Sequence, residues 1–376
     1  MPDEDSSCNH ISVSACSDHI CFVSNGHLCV YDCLSKRRTQ RSLTSKDSEI
    51  SAAGFCPRRR RFYTCSYSSE GTGSSIAVFG EAERRVLARF DLKEVVLRVL
   101  LNSEHICAVS DASVTTFSAR DFSTIKRQET VSNPSGCCAV STDPNRSVIC
   151  CLGLQRGTVR LERPSMPSAM PYVIAAHESA IAAVALSGNG MFVSTSSEAG
   201  SVVRVHATRD KCDLIYEIQR SSMPFLWRNP QISRLKMNFS GSYLAFLDDL
   251  NVISLYRSPI DESEQSTLEL LEPPSSQQEE ALGTKMSVIF RKCIDTFTSS
   301  HARVELPDRL GDATITDFEF SDTNGNSRLV VATQFHGIVF DYITKIRMLH
   351  CGNLQDHGDS IDEQSAPDEW VLVDGI

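Results

Sequence analysis

The feature that most constrains this chain is a recurrence: groups of four short β-type segments follow one another at a spacing of about forty residues. The clearest group begins with Ile181–Leu186, passes a Gly-Asn-Gly turn to Met191–Ser196, and continues through Ser201–His206 and Leu214–Ile218. Each segment is rich in Val, Ile, Phe, Tyr, Thr or Ser and ends at Gly, Asn, Asp or Ser, while helical periodicity is nearly absent. Four antiparallel strands of this length make one blade of a β-propeller. Further groups follow the same form, from Val95–Leu101, His105–Ser110, Ser113–Ser118 and Ile125–Glu129, and again from Gly136 to about Ile174. Counting at that repeat predicts an all-β, seven-bladed, WD-repeat-like propeller over residues 1–350, followed by an acidic tail over 351–376. Closing such a ring removes the open sheet edges that free hairpins would carry.

The 376 residues contain no Pro/Gly/Ser-rich linker between halves of different composition, which points to one large domain. No apolar run approaches the length needed to cross a bilayer. The opening MPDEDSSCNH lacks the basic start and apolar stretch of a secretory signal, so a cytosolic protein is expected. The 15 cysteines fit that reading: they fall inside strand-like runs such as Ile149-Cys150-Cys151-Leu152, without zinc-ligand spacing, and are expected as buried thiols. A net charge of −10 argues against nucleic-acid binding, which needs a broad basic face. An anionic ligand must therefore meet a local basic site. Neither a Gly-rich phosphate loop, nor metal-binding His spacing, nor a nucleophile elbow is present, so no catalytic residue, metal or cofactor is expected.

Residues 258–283 turn polar and acidic, with Asp261, Glu262, Glu264, Glu269, Glu272, Glu279 and Glu280 and no Lys or Arg, and are expected as a loop in blade six. Met286, Ile289, Phe290, Cys293, Ile294 and Phe297 follow, at a spacing that suits either one face of a helix or a returning strand. The run Arg58–Arg61 stands just before Phe62 and is expected as a solvated hairpin turn.

Blade five and its exit resemble the PROPPIN propellers, the WIPI-type proteins that bind phosphatidylinositol 3-phosphate in autophagosome formation. The residues that carry the resemblance are Ala176-His177-Glu178-Ser179-Ala180-Ile181-Ala182, then Ser197-Glu198-Ala199-Gly200-Ser201-Val202-Val203-Arg204-Val205, then Ile218-Gln219-Arg220-Ser221. Upstream, Ser132 to Ala139 and Gln155 to Leu161 resemble blade four of the branch of human WIPI proteins three and four.

In that family the blade-five exit bears two arginines pointing to opposite sides, each into a lipid-headgroup pocket. A phosphate monoester suits a planar guanidinium fork with hydroxyl and imidazole donors around it. The resemblance implies headgroup roles for His177, Ser197, Ser201, Arg204, Gln219 and Arg220, with four departures: Gln219 replaces the first arginine, Ser221 the glycine, Ala199 a lysine, and Ser201 the family's usual threonine. Replacing a charged donor by an amide removes a bond worth about 1.5–3 kcal/mol, or roughly ten- to a hundredfold in affinity. In the second pocket Leu247-Asp248-Asp249-Leu250-Asn251-Val252 replaces the family's Ser-Ser-Asp-Lys-Gly-Thr stretch, and Asp248 would repel phosphate. Weak or altered phosphoinositide binding is expected, on cytoplasmic faces of autophagosome precursors or endosomes. Insertion of the blade-six loop into an anionic leaflet is expected to be weaker than in relatives, given its carboxylates.

The resemblance also implies two protein partners. A bridge-like lipid-transfer protein binds the family near the chain start, through an asparagine and an aspartate; the matching Cys16-Ser17-Asp18 keeps the aspartate and lacks the asparagine. Asp368-Glu369-Trp370-Val371-Leu372-Val373 has the form of a motif for ubiquitin-like autophagy modifiers, in which Trp370 and Val373 would fill two apolar pockets while the segment adds a strand to the partner's sheet.

Overall fold

Alternating apolar and polar residues between Gly, Asn and Asp turns do fold as short antiparallel strands, as a computed structural model shows. The structure describes residues 9–14, 18–24, 27–42, 50–56, 61–67, 73–80, 85–165, 170–209, 211–220, 230–259, 302–304, 314–323, 326–333, 336–341 and 347–353. The strands are β1 Asn9–Val13, β2 His19–Ser24, β3 His27–Asp32, β4 Arg37–Ser42, β5 Ile50–Cys56, β6 Arg61–Tyr67, β7 Ser74–Gly80, β8 Arg85–Leu92, β9 Val96–Leu101 and β10 His105–Ser110. They continue with β11 Ser113–Ser118, β12 Thr124–Glu129, β13 Cys138–Val140, β14 Ile149–Leu152, β15 Thr158–Glu162, β16 Tyr172–Ala175, β17 Ile181–Leu186, β18 Phe192–Ser197 and β19 Val202–Ala207. The last are β20 Leu214–Gln219, β21 Ile232–Met237, β22 Tyr243–Asp248, β23 Ile253–Arg257, β24 Ala302–Val304, β25 Ile315–Thr323, β26 Asn326–Thr333, β27 His336–Asp341 and β28 Arg347–Asn353.

These strands form seven four-stranded sheets, each taking four consecutive strands in chain order with antiparallel neighbours. Every sheet is thus a local meander, and we number the sheets one to seven along the chain. The expected strands match to within a residue or so; Met191–Ser196 is displaced to Phe192–Ser197. The C-terminal tail was expected from residue 351, whereas β28 runs on to Asn353.

The chain divides into two compact units, one holding sheets one, two, three and seven and the other sheets four, five and six. In the first unit, the N-terminal and C-terminal sheets pack together. Val13, Ile20, Phe22 and Tyr31 of the sheet-one region share a core with Val330, Ala332 and Val339. The Val13 N–H donates to Asp317 Oδ2 at 3.0 Å. Tyr63, Ile76 and Phe90 of sheet two pack in the same way on Val99, Ile106 and Phe117 of sheet three. Of the Arg58–Arg61 run only Arg61 lies among the described residues, and it is strand rather than turn: it opens β6 opposite Cys56 in the β5–β6 hairpin, its Nη1 donates to Ala119 O, and its guanidinium lies over the Phe122 ring.

In the second unit, Ala183, Val203, Val205 and Ile218 of sheet five face Ile232, Leu235, Leu244 and Phe246 of sheet six. The strands β14, β18 and β22 of this unit, like β10 of the first, are buried along their whole length and do not alternate. Ten described cysteines are buried and free of disulfides. Burial raises the thiol of Cys107 to about 12, so it stays protonated and inert. Residues 260–301, including the acidic stretch and the Met286–Phe297 face, lie outside the described residues, apart from Ser258 and Pro259 at the start of the acidic stretch.

Candidate functional site

Sheet five places the candidate residues by simple alternation. Its registers pair Thr195 with Arg204 and Arg204 with Glu217, and pair Val202 with Gln219. Directly opposed residues in antiparallel strands share a face, as do residues two apart. Thr195, Ser197, Arg204, Glu217 and Gln219 therefore stand on one face, and the core residues Val203, Val205 and Ile218 on the other.

On the first face Arg204 is held twice. Its Nε–H donates to Glu217 Oε2 at 3.2 Å, and Nη1 donates to Ala176 O at 2.6 Å. Glu217 also accepts from Gln219 Nε2 at 3.2 Å through its other oxygen. His177 enters from the chain just before β17, with Nε2 3.0 Å from Thr195 Oγ1 and 3.3 Å from Thr195 O. Burial holds the His177 imidazole below its ordinary pKa, and the charge of Arg204 adds to this. At neutral pH it is therefore uncharged. Gly157 fixes this entry: both Ala176 and His177 donate their N–H to Gly157 O at 3.0 Å. The glycine has φ +77°, and a Cβ there would stand 1.9 Å from His177 O.

Arg220 leaves toward the opposite side. Its Nη1 donates to Gly200 O at 3.0 Å and to Pro230 O, and its Nη2 pairs with Asp248 Oδ2 at 3.1 Å. The guanidinium lies over the Phe246 ring, 4.8 Å from its centroid, a cation–π contact. Asp248 uses its other oxygen to accept the N–H groups of Leu250 and Val252 in the β22–β23 turn. Burial raises the Asp248 carboxyl above its ordinary pKa, outweighing those backbone bonds and Arg220.

The two arginines differ in accessibility. The Arg204 and Glu217 side chains keep 35% and 23% of their exposure, whereas Arg220 and Asp248 keep 10% and 7%. Separating the buried pair costs about 3–5 kcal/mol, and the partly exposed Arg204–Glu217 pair opens at lower cost. The acid expected to repel a ligand at the second pocket in fact binds the arginine of that pocket.

The structure brings His177, Arg204 and Gln219 together, with Ser197 buried on the same face. Ser201 precedes β19 out of phase with Arg204, and its carbonyl accepts the Arg220 N–H at 2.8 Å. Sequence reasoning missed Glu217 and Thr195; the signal for Glu217 was its place two residues before Gln219 in one strand. Asp18 is 3% exposed in the other unit and accepts from Arg328 Nη1 at 3.2 Å, so this side chain serves the packing of the N-terminal sheet on β26. Trp370 and Val373 lie outside the described residues. Among the described residues no cluster of His, Cys, Asp and Glu could hold a metal ion.

Comparison with known proteins adds the family. The PROPPIN family model matches residues 72–276, more than half of the chain. The chain is 25% identical over 181 residues to Autophagy-related protein 18 of Dictyostelium discoideum, covering 48% of this chain and 47% of that protein. It is 32% identical over 143 residues to Ectopic P granules protein 6 of Caenorhabditis elegans, covering 36% and 35%. The matches span about half the length of the curated relatives. Among solved structures, Hsv2 of Kluyveromyces lactis superposes with a TM-score of 0.66 over 93% of this chain and 99% of that one, at 14% identity. The complex of KlAtg21 with the coiled-coil of AgAtg16 gives 0.69 over 92% and 99%, also at 14%. At such identity these structures establish the all-β propeller fold and nothing finer. With the seven meanders in place and the family model running from sheet two into the segment after β23, the chain belongs to the PROPPIN family.

Proposed function

We propose that this chain is a cytoplasmic, membrane-peripheral effector of autophagy that binds phosphatidylinositol 3-phosphate through the Arg204 side of sheet five and recruits lipid-transfer or conjugation machinery. The carrying observation is the asymmetry of its two cations: Arg204 sits in a partly exposed pair beside His177, whereas Arg220 is enclosed by Asp248 and Phe246. Family membership and the relatives named for autophagy support the process. The solved complex of KlAtg21 with a coiled-coil supports protein partners as a class. A place near the branch of human WIPI proteins three and four, with a degenerate double-arginine motif, belongs to this reading, as does a seven-bladed arrangement of the seven sheets. So do a bridge-like lipid-transfer partner near Asp18 and a modifier bound through Trp370 and Val373.

The test is flotation with phosphatidylcholine vesicles carrying or lacking phosphatidylinositol 3-phosphate. Wild type should float weakly and only with the phosphoinositide, and Arg204→Ala should sink. Equal flotation of wild type and Arg204→Ala would overturn the assignment. One observation favours a second reading, a propeller scaffold that has lost lipid binding: both arginines are engaged by carboxylates of the same chain. That reading gains if wild type stays unbound in the same assay.

A further inference from the structure

The geometry points to Glu217 as a built-in competitor for Arg204, a positioning residue that keeps the site weak until its carboxylate is displaced. This inference rests on the proposed phosphate site and names its regulation. A guanidinium grips a phosphate with two N–H groups in parallel. On Arg204 one of the two Nη1 N–H groups donates to Ala176 O. The edge formed by Nε with Nη2 is held by Glu217 Oε2, 3.2 Å from Nε. A phosphate therefore grips that edge in bidentate fashion only by taking Nε from Glu217.

Charge tells the same story. Arg204 and Glu217 cancel, Gln219 is neutral, and its amide is itself turned onto Glu217 at 3.2 Å. His177 bonds at Thr195 and brings no charge of its own at neutral pH. The face thus offers an incoming dianion no net positive charge and a carboxylate at contact distance. Removing that carboxylate without changing its shape leaves Arg204 as an uncompensated cation and frees the Gln219 amide. The pair is partly exposed, so an incoming anion can reach it, and displacing Glu217 costs less than opening the buried Arg220–Asp248 pair.

The experiment measures binding of wild type, Glu217→Gln, Glu217→Asp, Arg204→Ala and the double variant Glu217→Gln with Arg204→Ala. The probes are vesicles with phosphatidylinositol 3-phosphate, plain phosphatidylcholine vesicles, and the soluble inositol bisphosphate headgroup. Glu217→Gln should bind phosphoinositide vesicles roughly tenfold more tightly, the factor carried by about 1.4 kcal/mol. Glu217→Asp, which keeps the charge, should stay near wild type, and the double variant should lose the gain. If Arg204→Ala abolishes wild-type binding while Glu217→Gln gains nothing, the competitor role is overturned and the lipid reading stands. If Glu217→Gln gains Arg204-dependent binding of the soluble headgroup but no variant binds vesicles, the competitor role holds and the membrane reading falls. Absence of binding by every variant to every probe overturns both.

Discussion

Arg220 and Asp248 show how a sequence motif changes meaning when a neighbour changes. Burial, with the charge of Asp249 adding to it, raises the Asp248 carboxyl, so its ionisation is costly even beside Arg220. Such a pair has small net worth, yet losing one partner strands the other charge in a buried place. Arg220→Ala and Asp248→Ala should each destabilise the fold by about 3–5 kcal/mol, and the double variant should lose clearly less than the sum. Urea unfolding of the three variants measures this; additive losses would show that the residues do not act as a pair. The opposite orientation of Gln219 and Arg220 was implied by the resemblance to the family, in which the two positions point to opposite sides. Their engagement was not, since Asp248 lies 28 residues from Arg220 and only the packing of sheet six on sheet five brings them to 3.1 Å.

At the scale of elements, strand positions were legible because turn residues bound almost every strand. What escaped was how loops are pinned. Gly200 closes the β18–β19 turn with φ +65°, and a Cβ there would come within 2.9 Å of Pro230 O. Gly157 is tighter, at 1.9 Å from His177 O. A side chain in the left-handed region costs roughly 1–2 kcal/mol before any clash. Gly157→Ala should therefore destabilise more than Gly200→Ala and should also weaken phosphoinositide flotation, because it displaces His177. Gly200→Ala should act on the Arg220 side, through the Gly200 carbonyl, and leave flotation near wild type while the protein stays folded. Unfolding midpoints and flotation of both variants decide the matter; the reverse order would mean that the β14–β15 turn yields more easily than its contacts suggest.

At the scale of the molecule, the chain carries a net charge of −10, yet two of its buried titratable groups among the described residues, His105 and His206, are histidines. Burial lowers the pKa of His105 and His177, and lowers that of His206 to about 4, with His177 and Arg204 adding to the effect at His206. A group with a folded pKa below its unfolded value binds its proton more readily when unfolded. Its contribution is then fully present above about pH 6.5, and is lost as the pH falls through the folded value. Asp248 works in the other direction, because its raised pKa lets the folded chain take up that proton first and offsets part of the loss in the carboxylate range. Stability should therefore decline from pH 7 toward pH 4, well before general carboxylate protonation. His206, 6% exposed and lacking a hydrogen bond to Nδ1, should account for about 3 kcal/mol at most. Urea midpoints at pH 7, 6, 5 and 4 for wild type and His206→Gln measure it: the wild-type midpoint should fall and the variant's should fall less. Equal slopes would mean that His206 keeps its proton equilibrium on folding, and that the packing of sheet five does not exclude water from it.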